Sequence, residues 1–138
     1  MSFVKCLIRL VFLCFICVGS AQQSIGYSNE AVNFQSALAL YNAQQYQSAQ
    51  QLFKYVESNT LDTFLKSNAA YYNANCAVRL NQPNAELLVE SFVEHYPSST
   101  KRNSAYYEVA NYYFQNAKYS YARKWYEKVD RTSISKSN

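Results

Sequence analysis

Between residues 31 and 129, apolar side chains recur at spacings of three and four, the period of a helix with one buried face. Six stretches carry the pattern, at 31–43, 46–57, 62–80, 83–95, 101–116 and 120–129, and each predicts a helix. In the fourth, Ala85, Leu88 and Phe92 form a single stripe. The end signals agree. Asn29 precedes the first stretch as a cap, and Glu30 places an acid at the positive end of the helix dipole. Pro83 is expected in the first turn of the fourth helix, where a missing N–H costs nothing. Pro97 cannot continue that helix beyond His95, and it pushes Tyr96 out of the α region. Ser98, Ser99 and Thr100 then offer the next cap. The breaks at Gln44-Gln45, Asn81-Gln82 and Ala117-Lys118 are short, so successive helices must run antiparallel.

The stripes repeat. Ala49, Ala85 and Ala122 step by 36 and 37 residues, while Ala37, Ala74 and Ala110, and likewise Phe34, Tyr71 and Tyr107, step by 37 and 36. Three columns with one period mark an internal repeat. Residues 41–56 (YNAQQYQSAQQLFKYV) and 113–129 (YFQNAKYSYARKWYEKV) also share a layout of helix, short polar turn, Tyr, Ala and aromatic. Helices joined by so short a turn approach closely only where side chains are small. Ala37 is therefore expected against Ala49, Ala74 against Ala85, and Ala110 against Ala122. Phe53, Val89 and Tyr126 are the expected filling around them. Each pair would leave an apolar flank for its neighbour to cover, which is the logic of a solenoid.

This pattern resembles the tetratricopeptide repeat, a 34-residue helix pair. That family has a small residue in its first helix, an Ala near the start of its second, an aromatic four residues later and a Pro after it. Ala37/Ala49/Phe53, Ala74/Ala85/Val89 and Ala110/Ala122/Tyr126 stand at those places, and Pro97 at the last one in the second repeat. The likeness spans residues 29–130. It departs at Asn33 and Tyr106, where Trp is usual, at Val89 in the aromatic position, and at Leu61 in place of the first Pro. The stretch 95–129 is also similar to repeats of bacterial envelope proteins, such as the outer-membrane assembly lipoproteins and the Tol-Pal-associated coordinator of envelope constriction. The resemblance implies an all-α fold, a right-handed superhelical solenoid of about three helix-turn-helix repeats near 30–61, 62–98 and 99–132.

In that family the first helices line a concave groove that holds a protein or peptide. The matching positions here are Phe34, Leu38 and Tyr41; Tyr71, Asn75 and Arg79; and Tyr107, Asn111 and Phe114. Asn75 and Asn111 stand one repeat apart, and an amide both donates to and accepts from an extended backbone. The aromatics supply contact area at low entropic cost. In the alternative reading the aromatics pack between repeats and the asparagines are solvated. The family's clamp for a peptide carboxylate needs Lys and Arg in the groove, and only Arg79 is there.

The first twenty residues differ from the rest. Lys5 and Arg9 precede the apolar run 10–18 (LVFLCFICV), and Gly19-Ser20-Ala21 follows it. These are the three parts of a secretory signal peptide, with cleavage expected after Ala21 and a repeat domain over 22–138. The run is too short for a membrane anchor, which needs about 20 apolar residues. The expected location is the periplasm or the outer membrane, or alternatively the extracellular space. Cys6, Cys14 and Cys17 leave with the leader, so Cys76 remains alone and is expected as a small buried apolar residue. Losing Lys5 and Arg9 brings the net charge to about +2, too low for a nucleic-acid footprint.

Composition narrows the function further. Hydrophobic residues make up 49% of the 138, aromatics 17% and charged residues 16%, which excludes a disordered chain. Two glycines and two prolines cannot punctuate an all-β fold. The single His95 sits at a helix end and has no nucleophile to serve. Glu86, Glu90 and Glu94 recur every four residues and read as a solvated stripe, as do Arg123, Lys124 and Lys128 around Glu127. No zinc spacing and no phosphate loop is present, so no enzyme, metal or cofactor is expected. The expected function is a protein-binding scaffold. A structural spacer within a longer repeat protein and a carbohydrate-binding module are the alternatives. The residues 131–138 (RTSISKSN) are too short to cap the array. Tyr112, Tyr113, Trp125 and Tyr126 are therefore expected on an uncovered apolar flank suited to further repeats or to self-association.

Overall fold

The computed structural model describes residues 28–130, and within them every regular element is helical. The order is α1 (Asn29–Asn42), α2 (Tyr46–Asn59), α3 (Thr63–Arg79), α4 (Ala85–His95), α5 (Arg102–Gln115) and α6 (Tyr119–Tyr126). The fold is all-α, as the periodicity predicts. Residues 1–27, which include the expected leader 1–21, and the terminal segment 131–138 lie outside the described residues.

The caps differ from expectation in physically clear ways. Ser28, not Asn29, caps α1, its hydroxyl accepting from the Ala31 N–H at 3.2 Å. Asp62 is the cap of α3 rather than its first residue, and its Oδ1 accepts from Phe64 N at 2.8 Å and Leu65 N at 3.1 Å. Pro83 does not open α4. Residues 81–84 are spent on reversing the chain, and the helix starts at Ala85, whose N–H reaches the Gln82 carbonyl at 3.1 Å. The seryl run before α5 supplies no cap to it. Ser99 Oγ accepts from Lys101 N at 3.3 Å, one turn too early, and Lys101 itself precedes the helix with αR dihedrals. The helix α6 stops at Tyr126, and tighter i→i−3 bonds from Lys128 and Val129 fold Val129 back against the protein.

The three hairpin turns share one geometry. Gln44, Asn81 and Ala117 have φ of 60°, 52° and 58°, in the left-handed region. In each turn the left-handed residue donates its N–H three residues back, to Tyr41, Val78 or Phe114. The next N–H, of Gln45, Gln82 or Lys118, reaches five residues back to Leu40, Ala77 or Tyr113 at 2.9–3.0 Å. This Schellman arrangement satisfies the last carbonyls of α1, α3 and α5. Glycine usually holds the left-handed position because a Cβ there costs about 1 kcal/mol. Here no turn uses glycine, so the strain is accepted three times at the same period of 37 and 36 residues.

The reward is close helix packing. Ala37, Ala49, Ala74, Ala85, Ala110 and Ala122 are all at most 4% exposed. Each helix packs on the next in sequence, and α3 also lies against both α1 and α5. Two cores result. One gathers Phe34, Phe53, Val56 and Cys76, and the other Phe92, Val93, Val109 and Trp125. Tyr72 packs against both, stacking on Phe53 at 5.1 Å between ring centroids. Cys76 is buried as expected, and burial pushes its thiol up to about 12.

Polar side chains join the hairpins. Gln50 and Gln82 exchange reciprocal amide bonds of 3.1 and 2.8 Å. Glu86 Oε1 accepts from the Tyr113 hydroxyl at 3.0 Å and from the indole N–H of Trp125 at 3.3 Å, and Oε2 lies 3.6 Å from Lys124 Nζ. Glu90 pairs with Lys128 at 2.6 Å. The expected solvated stripe on α4 is therefore corrected at two of its acids: half-buried Glu86 and Glu90 hold Lys124 and Lys128 across helices, while Glu94 is exposed, and Arg123, Lys124, Glu127 and Lys128 of the α6 segment lie on the surface as expected. Trp125 is likewise not on an open flank but fully buried.

Candidate functional site

The nine residues expected on the groove lie on α1, α3 and α5, helices that contact one another in a row. Their side chains fall into three states. Phe34, Tyr71 and Asn75 are buried. Phe34 meets Phe53 and Tyr72 edge-on at 5.5 and 6.0 Å. Tyr71 lies beside Asn75, whose amide opposes the rise of its phenol, and Lys101 Nζ sits 4.9 Å above its ring. Burial pushes the Tyr71 phenol far above its ordinary value. Asn75, at 3% exposed, does not face water in the free protein, contrary to both sequence readings of that amide. The reason is position: α3 is covered by helices on either side.

Leu38, Tyr41, Arg79 and Asn111 form the second, half-buried set. Leu38 packs on the first core. Arg79 joins three helices. It pairs with Glu108 of α5 at 3.0 Å, lies beside the Tyr41 phenol of α1, and stacks over the Tyr46 ring at 5.8 Å. Burial raises the Tyr41 phenol, and the guanidinium opposes that rise. The one groove arginine is thus already neutralised by Glu108. Asn111 Oδ1 accepts from the Tyr126 hydroxyl of α6.

Tyr107 and Phe114 make up the third set, exposed by 45% and 55%. With Asn111 they stand at i, i+4 and i+7 on one face of α5. Tyr107 meets Tyr126 edge-on at 6.0 Å, and Phe114 meets Tyr119 at 5.4 Å. Tyr119 and Tyr121 of α6 are also more than half exposed. An open hollow of about 350 Å³ lies beside them, lined by Phe114, Tyr119, Ala122, Arg123, Tyr126 and Glu127. The exposed aromatics of the last hairpin are therefore Tyr107, Phe114, Tyr119 and Tyr121, in place of the expected Tyr112, Tyr113, Trp125 and Tyr126.

Sequence reasoning missed Glu108, Tyr119 and Tyr121. A signal for Glu108 was present, since it is the acid of α5 next to Tyr107 in the groove column. Tyr119 and Tyr121 precede Ala122 and were legible only as aromatics near the small column. Chemically the face offers ring surface, one amide and a neutralised ion pair. Among the described residues no group of three His, Cys, Asp or Glu side chains could hold a metal ion. No described helix is long and apolar enough to cross a membrane. Comparison with protein-family models, with curated proteins and with solved structures finds no match.

Proposed function

We propose that this chain is an exported scaffold of the cell envelope, a right-handed solenoid of three tetratricopeptide-type repeats that binds a protein or peptide. The repeat reading is supported by the linear packing of α1 through α6, the alanine columns at the helix contacts and the recurrent left-handed turn. The binding reading rests on one observation: Tyr107 and Phe114 present exposed rings in register on α5, on either side of a half-buried amide. Rings so placed provide area at low entropic cost, the usual make-up of an interface anchor. The leader-like segment 1–21 supports export.

A photo-crosslinking amino acid at position 114 tests this reading, with position 55 on α2 as the control, since Tyr55 is also exposed. A discrete adduct from 114 and none from 55 is the expected result. Equal labelling, or none, refutes it. A second reading has its own support. The matching residues of α3, Tyr71 and Asn75, are covered by α5, so another helical pair of the same kind would cover α5 in the same way. In that reading the chain is a spacer or self-associates, and the adduct contains this same polypeptide.

A further inference from the structure

A second cleft lies away from the α5 face. It is a hollow of about 170 Å³ lined by Glu57 of α2, Asn73 of α3, Ser91, Phe92 and His95 of α4, and the following Tyr96. Asn73 is 6% exposed. Its Nδ2 donates to Glu57 Oε2 at 3.1 Å, and its backbone carbonyl accepts from Gln50 Nε2 at 3.4 Å. The Nδ2 bond fixes which way the amide points and leaves Oδ1 buried with no partner among the described residues. A buried carbonyl left so costs about as much as a lost hydrogen bond and calls for a donor.

The groups around it are also acceptors. Among the described residues no Lys or Arg pairs with Glu57, whereas Glu86, Glu90, Glu108 and Glu127 each hold a cation. His95 Nδ1 lies 2.8 Å from the Ser91 carbonyl oxygen, so Nδ1 carries the proton it donates there. The Phe92 and Tyr96 rings, 5.7 Å apart, form an aromatic wall. A carboxylate, an orphan carbonyl and ring faces together select a cation with several N–H donors. The volume suits a side-chain head group, since drug-sized ligands need at least about 300 Å³.

We propose that this cleft binds an ammonium or guanidinium head group, with Glu57 supplying the charge, Tyr96 the ring, and Asn73 Oδ1, closed off in the free protein and opened by a small shift of its side chain, the second acceptor. The site is independent of the α5 face. The cation can come from a Lys or Arg side chain of a polypeptide or from a free small amine. A neighbouring hollow of about 500 Å³ shares His95 and Tyr96 and is otherwise lined by uncharged groups such as Phe64, Asn68 and Thr100, room for the chain flanking such a side chain.

The test is a titration of the protein with methylguanidinium and with n-butylammonium chloride, read from the Asn73 side-chain amide by NMR, with n-butanol as the neutral control. A saturable shift with the two cations and none with butanol is expected. Glu57→Gln keeps an acceptor for Asn73 Nδ2 while removing the charge, and it should weaken binding by about tenfold. Tyr96→Leu should weaken it as well. A Lys-containing peptide that binds more tightly than butylammonium, and loses that gain when its Lys becomes Ala, assigns the source to a polypeptide. Equal affinity assigns it to a free amine. No saturable shift, or full-strength binding to Glu57→Gln, overturns the proposal.

Discussion

Removing Glu86 should detach the last hairpin from the rest of the protein. One carboxylate oxygen receives both the Tyr113 hydroxyl and the Trp125 indole N–H. Trp125 is fully buried, so Glu86→Ala strands its N–H without water, which costs about 1–3 kcal/mol. The 3.3 Å separation places this at the lower end. The Tyr113 hydroxyl is half-buried and can turn to solvent, adding about 0.5–1 kcal/mol. The Lys124 pair is largely exposed and adds next to nothing. Glu86→Ala should therefore cost about 1.5–2.5 kcal/mol, a large share of the 5–15 kcal/mol typical of a domain. Glu86→Gln retains an acceptor and should cost less than half of that. Trp125 is the only tryptophan, so its fluorescence in a urea titration reports this hairpin alone, while circular dichroism reports all six helices. A fluorescence midpoint that falls ahead of the dichroism midpoint would indicate local detachment. A Glu86→Ala protein within about 0.5 kcal/mol of the parent would refute the reasoning.

Three further outcomes are expected. Gln44→Gly and Ala117→Gly should each raise stability by about 0.5–1 kcal/mol, since both residues sit at positive φ, and a melting temperature that falls in both would contradict the strain argument. Asn75→Ala should lower stability by about 1–3 kcal/mol, because it removes the buried amide beside Tyr71, whereas Asn111→Ala should cost less, its Tyr126 partner being able to reach water; equal effects in thermal melts would oppose this. Stability should fall as pH rises from about 9 towards 12, because burial pushes the Cys76 thiol up to about 12 from an ordinary value near 9, burial aided by Glu86 pushes the Tyr113 phenol up to about 12, and burial raises Tyr41, Tyr71, Tyr72 and Tyr96 as well. The folded state holds protons that the unfolded state has released in that window, so the slope is negative. Tyr113→Phe should make the slope shallower, and an unchanged alkaline titration of unfolding would count against it.

Much of the fold was legible because helix period and repeat period are both carried by side-chain size. Ala37, Ala49, Ala74, Ala85, Ala110 and Ala122 are all buried where the columns place them. The boundaries were less legible for a specific reason. Sequence marks a left-handed turn by glycine, and this chain places Gln44, Asn81 and Ala117 there instead. Their common spacing was the available signal, and it becomes meaningful only once the turn geometry is known. Pro83 misled for a related reason. A proline suits a helix start, but the reversal after Asn81 needs the residues up to Asn84. Glu86 and Glu90 were read as solvated because their partners lie 27 to 39 residues away, beyond any local pattern.

The candidate site was legible as a column and not as a surface. Phe34, Tyr71 and Tyr107 occupy equivalent positions, yet the first two are buried and the third is open. Nothing in the three residues themselves makes that difference. Phe34 closes on Phe53 and Tyr72, Tyr71 is roofed by Lys101, and Tyr107 has Tyr126 on one side only. Repeat position therefore sets which side chains share a face, while the neighbouring helix sets which of them meet water. The same distinction separates Asn75 from Asn111: one amide is consumed by its own repeat stack, and the other keeps its donor N–H groups available beside two exposed rings. The proposed recognition by this face is consequently concentrated at α5, where no further helical pair follows α6 among the described residues.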